Sequence, residues 1–140
     1  MSDSYFSARK IRPRYRQEAV AQSITWRLHR SQRQLAEAER SVIASALMHG
    51  NTEVVSLHVW VVMNDHVPIV LTPAPGANLD KILNSWKGFT TTQWMKDPAR
   101  RASIWQRGWY DRVLFSPEAL ASVARYVAAN PWRRWPELCE

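Results

Sequence analysis

Tyr126 and Asn130 stand four residues apart in a stretch of helical periodicity, which places a phenol and a carboxamide on one helix face. A phenol can act as a nucleophile, and a side-chain carbonyl can serve as a ligand for a hard cation. On periodicity alone the pair has plainer uses. Tyr126 lies beside the stripe Leu120, Val123 and Val127, as a tyrosine packed between helix and sheet would, and Asn130 before Pro131 reads as a helix stop.

The second cluster is a strand-turn-strand around His66. The residue two positions on shares its strand face, and it is Pro68, which has no donor atom for a metal and no N–H for a ladder. Such a proline is expected at a sheet edge or a bulge. If Asn64-Asp65 is a two-residue turn, pairing runs 63 with 66, 61 with 68 and 58 with 71, so His58 falls on the opposite face from His66. His29 and His49 belong to a strand end and a helix end. Asp65 carries an oxygen ligand beside His66, but in a turn position. A lone strand histidine is as readily a packed or exposed residue as a ligand.

The elements that must position these groups follow from pattern. Ile24, Trp26 and Leu28 alternate with Ser23, Thr25 and Arg27, predicting a strand at 22–29. Leu35, Val42, Ile43, Ala46 and Leu47 share a helical face, predicting a helix over 35–48 that Gly50 stops. Two apolar runs, Val54 to Met63 and Val67 to Leu71, pair across Asn64-Asp65. After a Pro- and Gly-rich loop, Asn78 caps a helix with the stripe Leu79, Ile82, Leu83, Trp86 and Phe89, extending to Trp94. Asp97-Pro98 ends it. Trp109 to Phe115 is a short strand, and Ser116-Pro117 starts a last helix over 117–129 that Asn130-Pro131 closes.

The order strand, helix, strand, strand, helix, strand, helix predicts an α+β class. It is the ferredoxin-like split βαβ pattern: a mostly antiparallel four-stranded sheet with helices on one face, plus a C-terminal helix that carries Tyr126. The expected organisation is a basic flexible arm at 1–20, one domain over 21–135 and a short tail at 136–140. The fold alone leaves function open.

Nineteen Lys and Arg against twelve Asp and Glu give a net charge of +7 over 140 residues, a balance suited to polyanions. Arg107, Arg112, Lys81 and Lys87, with Arg12 and Arg14 of the arm, are candidate phosphate contacts, although each taken singly also reads as solvated surface charge. Eight tryptophans could stack on unpaired bases where exposed, and otherwise build the core. The single cysteine, Cys139, cannot form an internal disulfide and suits a reducing compartment. No apolar stretch is long enough for a membrane span, and the N-terminus has no signal-peptide core, so the expected location is the cytoplasm, in association with the nucleoid.

Four blocks in order carry a family resemblance. Leu57 to Leu71, with Val61-Val62-Met63-Asn64-Asp65-His66-Val67-Pro68 at its centre, resembles the "VVMPNHVH" hairpin of REP-associated tyrosine transposases, a branch of the single-tyrosine HUH transposases. Ile82 to Thr90 resembles "ILHSWKSFT", Trp105 to Arg112 resembles "WQRxYYDR", and Arg125 to Pro131 resembles "RYIxxNP". The resemblance as a whole spans about residues 22 to 135.

The resemblance implies binding of single-stranded or hairpin DNA by a monomer or homodimer. It also implies strand cleavage and rejoining through a 5′-phosphotyrosine, with Tyr126 as nucleophile. Mg²⁺ or Mn²⁺ would polarise the attacked phosphate, with His66 and Asn130 matching two of the family's ligands. Two departures fall in one hairpin: Pro68 replaces the second histidine, and Met63-Asn64-Asp65 stands where the family has Met-Pro-Asn. The expected consequence is cleavage weakened or lost, and the alternative is a non-catalytic DNA-binding or regulatory relic.

Overall fold

Ile24 and Trp26 are fully buried, while Ser23, Thr25 and Arg27 point to the opposite side of the same strand. That alternation is the organising feature of the fold, because helices cover both sides of the sheet. The computed structural model describes residues 7–9, 20–49, 54–94, 97–100 and 104–134. Its elements are β1 (Ser7–Arg9), β2 (Gln22–Arg27), α1 (Glu37–Met48), β3 (Val55–Trp60), β4 (His66–Pro73), α2 (Leu79–Trp94), a 3-10 turn (Pro98–Arg100), β5 (Trp109–Val113) and α3 (Pro117–Arg134).

The sheet order is β1-β5-β2-β4-β3, with every pair antiparallel. Its last four strands are the split βαβ core expected from the sequence. Ser7–Arg9, within the stretch read as an arm, adds a fifth strand at the edge against β5. Arg12, Arg14, Cys139 and the 136–140 tail lie outside the described residues.

On one face Ile24, Trp26, Val67, Ile69, Leu71 and Trp109 pack against Ile43 and Leu47 of α1 and Leu79, Leu83, Trp86 and Trp94 of α2. Burial of each large apolar side chain contributes roughly 1.5–3 kcal/mol. On the other face Val59, Val61 and Val70 meet Leu120, Val123 and Val127 of α3. The first two helices thus share a face, as expected, and among the described residues α3 is the helix that lies across β3 and β4 on the reverse.

Among the described residues Trp26, Trp86, Trp94, Trp105 and Trp109 are buried. Trp26 stands 6.2 Å from Trp86 and 5.6 Å from Trp105 in tilted geometry, and Trp94 is 6.0 Å from Trp105. These rings build the core and are not a platform for bases.

Caps set the helix starts. The Asn78 side chain accepts the Lys81 N–H at 3.2 Å, and Ser116 Oγ accepts the Ala119 N–H at 3.0 Å. Helix α1 starts at Glu37, two residues later than the periodicity predicts, where Glu39 accepts the Ala36 N–H at 2.8 Å. In α2 the buried stripe is Leu79, Leu83, Trp86, Thr90 and Trp94, and Phe89 is 46% exposed. Thr90 takes the inward place because its hydroxyl accepts from Trp105 Nε1 at 3.0 Å and donates to the Lys87 carbonyl at 2.8 Å.

The reading of Asn130-Pro131 as a stop is corrected, since α3 runs on to Arg134 with Pro131 inside it. Pro131 has no N–H to give to the Val127 carbonyl, and the helix tolerates the loss near its end.

Candidate nucleic-acid interface

His66, Pro68 and Val70 alternate with the buried Val67, Ile69 and Leu71, so the three project from the face that α3 crosses. Across the β2–β4 ladder Arg27 is opposite His66, and Thr25 is opposite Pro68. Across β2–β5, Thr25 is opposite Tyr110 and Ser23 is opposite Arg112. One surface therefore carries His66, Arg27, Tyr110 and Arg112, with α3 over the neighbouring β3 and β4.

Pro68 occupies an interior strand rather than the edge or bulge expected. The Val61 N–H donates to the Pro68 carbonyl at 3.2 Å, so the polar groups of residue 68 face β3 and not β2. The missing N–H falls opposite Val61, one residue beyond the end of β3 at Trp60. The β2–β4 ladder loses nothing, and β3 stops where its partner can no longer donate.

The turn at Asn64-Asp65 is closed by the Met63 N–H donating to the His66 carbonyl at 2.9 Å. Trp60 opposite Ile69 and Val59 opposite Val70 keep the expected register. A bulge at Leu57/Val59 then shifts it by one residue. That bulge changes the expected position of His58. Its Nε2 lies 2.7 Å from Thr72 Oγ1, a residue on the His66 face by alternation but six positions along β4, roughly 20 Å at strand rise.

His66 Nδ1 lies 2.7 Å from Asp65 Oδ1. A carboxylate only accepts, so Nδ1 bears the proton and Nε2 is the atom left for a ligand. Burial is the main cause holding the imidazole pKa below its usual value of 6.5, against the opposing pull of Asp65, and the Arg27 charge lowers it further.

The donors at hand do not compose a Mg²⁺ or Mn²⁺ site. Pro68 has nothing to offer, His58 is at the far end of the strand, and one of the two Asp65 oxygens is engaged by His66. Among the described residues no group of three His, Cys, Asp or Glu is arranged to hold a metal. A hard cation asks for about six oxygen-rich ligands, which one imidazole and one carboxamide do not approach.

Tyr126 is 49% exposed, whereas Val123 and Val127 beside it are 2% exposed. Its ring is therefore about half exposed at the border of the packed stripe. Asn130, one turn on, is half-buried within α3.

The candidate cations separate. Arg107 is exposed in the loop before β5, and Arg112 is half-buried on the His66 face of β5. Lys81 and Lys87 belong to α2, on the other side of the sheet. Lys87 Nζ donates to the carbonyls of Gln106 at 3.2 Å and Gly108 at 2.8 Å, and lies 5.6 Å from the centre of the Trp109 ring. Burial lowers its pKa from 10.5 to about 8. It holds the 106–108 loop, where Gly108 adopts a φ of +69° that suits a residue without Cβ.

Arg27 and Tyr110 are the residues sequence reasoning missed. The Arg27 guanidinium lies 5.7 Å from the centre of the Tyr110 ring, within cation–π range. The alternation of β2 already showed Arg27 to be outward. Only the register of β4 shows that it meets His66.

No family model and no curated protein matches the chain. Among solved structures it is similar to a REP-associated tyrosine transposase bound to a REP hairpin, with a TM-score of 0.72 and 16% identity over 91% of this chain and 75% of that one. The fold is that of a REP-associated tyrosine transposase. A structure assigned as a transposase from Deinococcus radiodurans R1 is also similar, at a TM-score of 0.53 and 15% identity over 86% of this chain and 95% of that one. The REP-transposase fold seen here is α+β, with the antiparallel sheet and three helices expected from the sequence. No helix among the described residues is long and apolar enough to cross a membrane.

Proposed function

We propose that this chain is a transposase-like protein that binds single-stranded or hairpin DNA, with strand cleavage and rejoining through Tyr126 weakened or lost. The observation that carries the reading is the likeness, over nine-tenths of the chain, to a transposase bound to a DNA hairpin. A basic balance of +7 and the outward Arg27, Arg107 and Arg112 support a polyanionic partner.

Loss of cleavage follows from Pro68. The phenol of Tyr126 would attack a phosphodiester, and the negative charge gathering on the phosphoryl oxygens needs a positioned cation. His66 and Asn130 are the remaining matches to the family's metal ligands, too few to hold Mg²⁺ or Mn²⁺ tightly.

Incubating the protein with labelled hairpin oligonucleotides and either metal tests both parts. DNA binding without a covalent adduct is the expected result. An adduct that disappears in Tyr126→Phe would show an active transesterase. Absence of any salt-sensitive DNA binding would remove the reading altogether.

A further inference from the structure

At the end of β2 the chain turns through Leu28, His29 and Arg30, and with Gln32, Gln34 and Gln106 this turn walls a cavity of about 250 Å³. Arg27 and Arg30 both line it. The chain's other described arginines near by are committed: Arg33 pairs with Glu39 and Asp97, and Arg100 pairs with Glu39. Among the described residues neither Arg27 nor Arg30 has a carboxylate partner, and the carboxylate on the cavity wall, Asp65, is bonded to His66 at 2.7 Å.

Two arginines against one carboxylate leave the cavity wall with an excess of positive charge, and guanidinium forks match phosphate oxygens. The rest of the lining is chosen for hydrogen bonding. Gln106 is fixed by its Nε2 donating to the Leu28 carbonyl at 3.2 Å and by its N–H donating to the Arg27 carbonyl at 2.8 Å. The Tyr110 ring lies against the Arg27 guanidinium, so less side-chain freedom remains to be lost on binding.

We infer that Arg27 and Arg30 form a metal-independent phosphate-binding pocket, which seats a phosphodiester group of the DNA directly beside His66. This rests on the DNA-binding reading and goes beyond it. Charge that the Pro68 hairpin cannot recruit as a divalent cation is supplied by Arg27, opposite His66 in the β2–β4 register. The pocket recognises the phosphate and not the base.

The test is DNA binding over a range of salt concentrations, with a hairpin oligonucleotide bearing a single-stranded flank, in Mg²⁺ and in EDTA. Wild-type affinity is expected to be the same in both. Arg27→Gln and Arg30→Gln should each weaken binding about tenfold, the equivalent of about 1.4 kcal/mol. Each should also reduce the salt slope by about 0.7, while Arg33→Gln changes neither. Arg27→Lys, which keeps the charge, should retain the slope, and thermal melts confirm that each variant is folded.

DNA binding that survives both glutamine variants with an unchanged slope overturns the pocket and leaves the DNA-binding reading intact. Loss of wild-type binding in EDTA overturns its metal independence. Inorganic phosphate, followed by NMR shifts of His29 and His66, distinguishes a free anion from a DNA phosphate. Shifts that vanish in Arg27→Gln in a protein that does not bind DNA would keep the pocket and reject the functional reading. No shifts and no DNA binding reject both.

Discussion

The buried Arg100 guanidinium donates to both oxygens of Glu39, each at 2.8 Å, joining the segment after α2 to the first turn of α1 across 61 residues of sequence. Arg100 also donates to the carbonyls of Arg33 at 2.6 Å and Gln34 at 2.9 Å, so the charge is matched on several sides. The Arg100 hydrogen bond is the main cause holding the Glu39 pKa down at about 2, from 4.5.

Glu39→Gln should therefore destabilise the fold by about 3–5 kcal/mol, because it leaves Arg100 buried without its counter-charge. The folded carboxylate releases its proton more readily than the unfolded one. Stability from this pair is complete above pH 4.5 and is lost as pH falls toward 2. Urea melts of wild type and Glu39→Gln between pH 6 and pH 2 check both points, and the difference between the two proteins should shrink at the acidic end.

Lys87 is a tether and should behave as one. Lys87→Met removes the donor to two loop carbonyls and should cost about 1–3 kcal/mol. In the wild type its ammonium titrates near 8 in the folded state and 10.5 unfolded, so stability contributed through this group rises with pH across that window. NMR titration of the Lys87 side chain measures the shift directly, and an ordinary lysine value would refute it.

The two faces of α3 should respond differently to truncation. Val127→Ala, at a fully packed position, should cost on the order of 2 kcal/mol, whereas Tyr126→Phe on the half-exposed side should change stability by less than about 0.5 kcal/mol. Thermal unfolding of both variants tests whether Tyr126 is held for something other than packing.

Pro68→His would place a second imidazole on the His66 face and restore an N–H toward Val61. The expected outcome is a gain of Mn²⁺ affinity, read by calorimetry and by paramagnetic broadening of the His66 ring. If Mn²⁺ binding is no tighter than in wild type, Pro68 is not what removed the metal.

Much of the positional logic was legible in local pattern. A period of two along β4 puts His66 and position 68 on one face whatever the strand pairs with, and the caps Asn78 and Ser116 work within three residues of themselves. Arg27 was legible as outward but not as the neighbour of His66, because that depends on the pairing of two strands about forty residues apart. His58 escaped for a related reason. Its face depends on a bulge that no turn rule dictates.

By itself, the sequence determined the order of the elements from β2 onward, the α+β class, the face shared by His66 and Pro68, and the absence of a donor at the second position. Side-chain periodicity and donor chemistry are local properties, so no fold is needed to read them. Only the tertiary structure decided that α3 crosses the sheet on the side away from α1 and α2, that Pro68 sits inside the sheet with its missing N–H turned toward Val61, that Lys87 is spent on a loop, and that Arg27 faces His66. Each of these depends on which distant segments pack together, and burial and hydrogen-bond satisfaction act on the folded whole.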